Sequence, residues 1–183
     1  MLIDLIKEFA LLCDRDGVLK NFDKTVKNMH PDYEALRSSI AADTTVPILP
    51  ELTDFVFGLD PDAANEHMRN VKGPFMLLDY GLFRGSNIFA TGGSNIDFMF
   101  SCIIAMPGNK RKLDPIEDAL WRNTLLAYAK RMLKHFEQRD KNTCAVNRML
   151  NGNFTITPVD PMILLNCIGW DVSFTKNGSA FLF

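Results

Sequence analysis

Between Ile96 and Met106 the side chains alternate with period two. Ile96, Phe98, Phe100, Cys102, Ile104 and Met106 are all apolar, and the intervening Asp97, Met99, Ser101, Ile103 and Ala105 are mixed. Successive side chains of a strand point to opposite faces, so this segment has one wholly apolar face that must be covered. The chain therefore contains a sheet packed against something. Met76, Leu78, Tyr80 and Leu82 alternate in the same way with Leu77, Asp79, Gly81 and Phe83, which predicts a preceding strand and an antiparallel hairpin. Its connection, residues 84–94, carries Gly85, Gly92 and Gly93 and is expected to be a mobile tip.

The cover is legible as well. Asp114-Pro115-Ile116-Glu117 supplies an N-cap aspartate, a proline at the first helical position and an acid at the third. Ile116, Leu120, Trp121, Leu125, Tyr128, Met132, Leu133 and Phe136 then follow at helical spacing, with Arg122, Lys130, Arg131, Lys134 and Gln138 opposite, as on a long amphipathic helix. Leu2, Leu5, Ile6, Phe9, Leu12 and Cys13 predict an N-terminal helix that stops near Gly17, with the glycine as a left-handed cap. From Asn21 to Lys72 the pattern weakens. Pro31 and the residues after it suggest a short helix, Pro47 and Pro50 enforce extended backbone, and Asp60-Pro61-Asp62 opens another short helix through Met68. Residues 21–72 are expected as an irregular insertion or arm. Near the other end, Phe154 and Ile156 suggest one strand and 166–175 another, with Asn177-Gly178 as a hairpin signal before Phe181-Leu182-Phe183.

This order segregates helices from strands. It predicts a single α+β domain over 1–183, an antiparallel sheet packed against an N-terminal helix and one long amphipathic helix. Gly92-Gly93 leads into a strand rather than a helix, which does not suit a dinucleotide-binding or P-loop fold. With 47% hydrophobic and 23% charged residues, the chain is neither disordered nor fibrous. A net charge of −2 removes the whole-chain cationic signature of a dedicated nucleic-acid binder. Residues 107–141 carry +4 and the remainder −6, which makes Lys110, Arg111 and Lys112 the candidates to face a polyanion.

Candidate chemistry is sparse. Cys13, Cys102, Cys144 and Cys167 form no Cys-x-x-Cys pair, so reduced thiols are expected rather than a zinc site or a disulfide framework. His30, His67 and His135 are isolated, and no metal-ligand set, cofactor site or catalytic set is read from the chain. No serine stands in a Gly-x-Ser-x-Gly elbow, and Gly17 follows Asp14 too early for a calcium loop. The first residues lack the basic start and continuous apolar core of a signal peptide. The most apolar stretch, Phe98 to Met106, is about half the length a membrane helix requires. A soluble protein without membrane contact is expected.

Two resemblances bear on function. Leu11-Leu12-Cys13-Asp14-Arg15-Asp16-Gly17-Val18-Leu19 resembles the first motif of haloacid-dehalogenase-type phosphatases. That resemblance implies Asp14 as nucleophile and Asp16 as general acid beside a magnesium ion. The residues before Asp14 carry a helical rather than a strand period, however, and the later motifs of that family are not found. A magnesium-dependent phosphatase is the enzymatic alternative.

The second resemblance lies in the order of elements. A strand ending at Pro107, a short connection through Lys110 to the Asp114 cap, a long amphipathic helix and paired C-terminal strands resemble the tail-terminator and neck proteins of long-tailed bacteriophages. It spans Leu2 to Asp14 and Gly73 to Phe174. Gly169-Trp170-Asp171-Val172-Ser173-Phe174-Thr175 is similar to the closing strands of prophage structural proteins from gut bacteria. The resemblance implies a nonenzymatic virion protein of the neck or tail, present in the bacterial cytoplasm during assembly. It also implies a homo-oligomeric ring, usually of six subunits, that meets other neck or tail proteins, with incidental contact to packaged DNA. Ile88 and Phe89 in the hairpin tip, and Phe181, Leu182 and Phe183, are then the candidate intersubunit contacts, because apolar groups in such exposed settings suit another chain. The longer 21–72 segment departs from that family. A small bacterial adaptor with no virion role is a third reading.

Overall fold

The computed structural model describes residues 2–22, 30–58, 70–88, 93–108, 114–142, 154–159, 164 and 167–176, and from 80 to 98 it describes the backbone alone. The N-terminal helix is shorter than its periodicity suggests. Helix α1 covers Leu2–Ala10, Cys13 makes a parallel bridge to Leu49, and a second helix, α2, covers Arg15–Leu19. The break has a cause in residues 49–52. Leu49 N donates to Leu12 O at 2.7 Å and Asp14 N donates to Leu52 O at 3.1 Å, pairings that a continuing helix would forgo. Asp14 then caps α2, its Oδ2 accepting from Gly17 N at 3.0 Å, as an N-cap carboxylate does. Gly17 is thus inside a helix rather than a left-handed end. Its lack of a side chain serves packing, since a Cβ there would lie 2.0 Å from Thr53 O.

Residues 21–72 are not an irregular arm where they are described. Helix α3 covers Tyr33–Ala41 and strand β1 covers Asp54–Phe57. Ile40, Leu49, Leu52, Phe55 and Val56 are buried, so the segment is core. Its pattern is weak because α3 buries Ile40 alone and β1 is four residues long, too short to display a period. The helix expected from Asp60 to Met68 lies outside the described residues.

Strands β2 (Phe75–Ile88), β3 (Gly93–Pro107), β4 (Phe154–Pro158) and β5 (Cys167–Lys176) join β1 in one sheet of order β1-β2-β3-β5-β4. The β1–β2 pair is parallel and the other pairs are antiparallel, so the fold is α+β with a mixed, mostly antiparallel sheet. The even residues Met76, Leu78, Phe100, Cys102, Ile104, Val172 and Phe174 form the larger core with Leu5 and Phe9 of α1. Helix α4, Pro115–Asp140, completes it with Leu125, Ala129, Met132, Leu133 and Phe136. A smaller cluster on the opposite face joins Val56, Phe75, Leu77 and Ala105 to Val71, Val159, Leu164 and Cys167.

Two expectations about faces fail for physical reasons. Asp79 pairs with Ser101 and Leu82 with Met99, so Tyr80 and Gly81 together oppose Phe100 in a β-bulge, which shifts the alternation by one. The even-numbered face predicted from Met76 to Leu82 therefore breaks at Gly81, and Phe83 falls opposite Phe98. On α4, Asp114 does cap the helix, its Oδ1 accepting from Ile116 N at 2.8 Å. Ile116 and Leu120, however, are 71% and 64% exposed. The helix meets the sheet about where Trp170 Nε1 donates to Arg122 O at 2.8 Å, two residues beyond Leu120.

Leu125 is fully buried and Phe100 nearly so. Replacing either by Ala should cost about 2–5 kcal/mol in chemical denaturation, from lost transfer energy plus a cavity. A loss below about 1 kcal/mol at both sites would contradict the packing described. Gly17→Ala should cost roughly 1–3 kcal/mol, because the added methyl must push the Thr53 carbonyl aside. An unchanged denaturation midpoint would show that α2 does not lie against that carbonyl.

Candidate functional site

The hairpin is longer than the sheet it belongs to. Strand β5 pairs with β3 from Phe98–Lys176 to Pro107–Cys167, and β1 pairs with β2 only at Phe75–Leu78. From Arg84–Asp97 to Ile88–Gly93, five consecutive pairs of β2 and β3 have no third strand beside them among the described residues. The strand rise makes this ribbon about 17 Å long. Of the hairpin tip expected at 84–94, residues 84–88 and 93–94 belong to paired strands, and residues 89–92 lie outside the described residues. Two-stranded ribbons are marginal on their own in water, so its backbone suits contact with another surface.

Of the candidate contact residues, Ile88 is the last residue of β2, its backbone paired with Gly93. Phe89, Phe181, Leu182 and Phe183 lie outside the described residues, as do Lys110, Arg111 and Lys112. Sequence reasoning missed the other end of the sheet. β4 is an edge strand of sequence Phe-Thr-Ile-Thr-Pro with four of its five residues exposed. Phe154 is 45% exposed. No residue of β4 is charged and its pairing with β5 runs without a bulge, whereas edges are ordinarily guarded by charge, bulging or proline. Pro158 alone serves, at the strand's last position. The signal was present in 154–157, an uncharged run of β-favouring residues.

The phosphatase-like motif sits in a different setting from a strand-end active site. Asp14 Oδ2 is engaged in the α2 cap, Arg15 Nη2 donates to Thr45 O at 3.2 Å, and Asp16 is exposed. Among the described residues no group of three or more His, Cys, Asp or Glu side chains is placed to hold a metal ion. A cleft of about 380 Å³ is lined by Lys20, Thr53, Asp54, Asn70, Val71, Lys72 and Gly73.

Cys13, Cys102 and Cys167 are free and buried. Cys13 Sγ lies 3.8 Å from Met76 Sδ, and Cys102 Sγ lies 3.7 Å from Met132 Sδ. Burial pushes the Cys13 and Cys102 thiols far above their ordinary value and Cys167 up to about 11. These thiols are core hydrophobes rather than nucleophiles.

The one unusual acid is on the smaller cluster's face of β5. Asp171 accepts from Ser173 Oγ, 3.4 Å from Oδ2, and from the Ser101 hydroxyl. Burial raises its pKa, these hydroxyls oppose the rise, and the charge of Asp79 adds to it. Such a carboxylate opposes folding when ionised, so its cost appears as pH rises through the elevated folded value and vanishes below the unfolded one. Asp171→Asn should therefore raise the melting temperature near pH 7 by a margin that shrinks toward about pH 4. An equal or larger margin at the acid end would rule out burial as the cause.

No helix among the described residues is long and apolar enough to cross a membrane. Comparison with known proteins finds no matching family model, curated protein or solved structure.

Proposed function

We propose that this chain is a nonenzymatic structural protein of a phage or prophage neck or tail, a ring component of the tail-terminator kind that acts in the virion after assembly in the bacterial cytoplasm. The observation that carries the reading is the two-stranded ribbon from Arg84–Asp97 to Ile88–Gly93. A marginal ribbon on an otherwise packed domain gains stability by lying against a neighbour. The order α1, β2–β3 hairpin, α4, then β4 and β5 follows the order in those phage proteins and adds support. In a ring the contact is heterologous, one patch of a subunit meeting a different patch of the next, and the rotation must close.

Cryo-microscopy of assembled particles should find the chain as a closed ring at the head–tail junction, six subunits being the number that the resemblance implies. Residues 84–97 should touch a neighbouring subunit. Particles that lack the chain, or a ribbon packed wholly within its own subunit, would overturn the reading. So would magnesium-dependent phosphatase activity that Asp14→Asn abolishes, which would move Asp14 and Asp16 from helix capping to catalysis.

A further inference from the structure

We infer that the outer face of α4 is a contact between two copies of this chain, in which the helices lie antiparallel across a two-fold axis and bury Ile116 and Leu120. The inference goes beyond the ring reading and does not rest on it. A two-fold contact matches a patch with itself, whereas a ring contact matches two different patches. The starting point is a second stripe along α4. Leu125, Ala129, Met132 and Phe136 belong to the larger core. Ile116, Leu120, Asn123 and Ala127 each stand nine residues before one of these, which is about two and a half turns and so the opposite side of the helix. All four are exposed, Ile116 at 71% and Leu120 at 64%.

Ile116 and Leu120 are neighbours on that face, as residues four apart are, and make one apolar patch rather than two scattered ones. The spacing from Ile116 to Ala127, four, three and four, is that of a seam between paired helices, and it runs for roughly 17 Å. The charges choose the occupant and its direction. The start of α4 is acidic, with Asp114, Glu117 and Asp118, and Lys130, Arg131 and Lys134 are exposed farther along. A parallel copy would set acid beside acid and base beside base. An antiparallel copy sets the acidic start of each helix toward the basic half of the other. In the register that matches apolar groups, Ile116 lies opposite Ala127 and Leu120 opposite Asn123, each pair occurring twice. The two Asn123 amides then stand within one turn of each other across the axis, where a polar pair fixes register and orientation. The stripe is thus its own complement in apolar pattern and in charge, which a contact between identical copies requires.

The test uses full-length chains. Ile116→Cys and Ala127→Cys preparations are made separately, mixed, oxidised mildly and digested, and disulfide-linked peptides are identified by mass spectrometry. The expected product joins 116 of one chain to 127 of the other. No 116–116 link should form, because in the antiparallel register those two positions stand the length of the stripe apart. Leu120→Lys, placed in both preparations, sets a charge in the middle of the seam and should cut the 116–127 product by about tenfold or more. Its melting temperature in dilute solution should match the parent's, since the side chain it replaces is exposed there. Links of 116–116 and 127–127 in place of 116–127 would mean parallel helices and overturn the inference. So would a 116–127 product undiminished by Leu120→Lys. If a different protein covers the stripe instead, the purified chains give no 116–127 link, and the assignment to a second copy fails.

Discussion

The fold depends on one aromatic junction. Phe9 of α1 meets Phe100 of β3 edge-on at 5.9 Å, Phe136 of α4 at 5.3 Å and Phe174 of β5 at 6.1 Å. Phe100 and Phe174, opposite each other in the ladder, stack at 4.9 Å. Four elements far apart in sequence are thus fixed by rings that are essentially buried. Their offset and edge-on geometries are those that aromatic quadrupoles favour. Beside the junction, Arg139 of α4 pairs with Glu8 of α1 and lies over the Phe136 ring. Those charged groups are partly exposed, and such pairs contribute little. The rings supply the attraction between these elements.

How much was legible follows from how long each pattern runs. Six alternating apolar residues in β3 and a capped 26-residue helix each repeat their period often enough to be unmistakable, and sheet, helix and layer order followed from them. β1 and α3 bury their residues through tertiary contact and carry almost no period. The run from Leu2 to Cys13 has a helical spacing throughout, yet the backbone leaves the helix after Ala10 because residues 49–52 compete for its hydrogen bonds, and nothing local announces a partner some 40 residues away. The bulge at Tyr80-Gly81 was hidden for a related reason. A shift of one residue is visible only once both strands are paired. Among the candidate contacts, the hairpin was readable and its true extent was not, since glycines that suggest a loose loop also fit a ribbon. The β4 edge was overlooked because an edge is a property of the sheet order, which places β5 between β3 and β4.

The two faces of the sheet serve different ends. Under α1 and α4 the residues are almost uniformly apolar, and even the thiols of Cys13 and Cys102 there are packing groups set against methionine sulfurs. The opposite face is divided. Val56, Phe75, Leu77 and Ala105 are covered, while farther along the strands Asp79, Ser101, Asp171 and Ser173 form a polar row in which Asp171 is satisfied by hydroxyls yet penalised by burial. A carboxylate so placed costs stability that Asn or Ser would spare. It marks where the covered part of that face gives way to a polar one.

The position of β5 also sets an order in time. It is the last of the described strands in the chain and the middle one of its three in the sheet. During synthesis, β2 and β3 can close their hairpin early, a local pairing of the kind that forms fastest. The far edge of β3, with Phe100 and Cys102 beside it, stays open until residues 167–176 have left the ribosome. Until then the nascent chain carries an apolar strand with an unsatisfied edge, the kind of surface that chaperones hold and that misassociates when crowded. Completion of β5 closes that edge and seats the last ring of the aromatic junction in the same event, so the molecule passes from exposed to sealed in one late step.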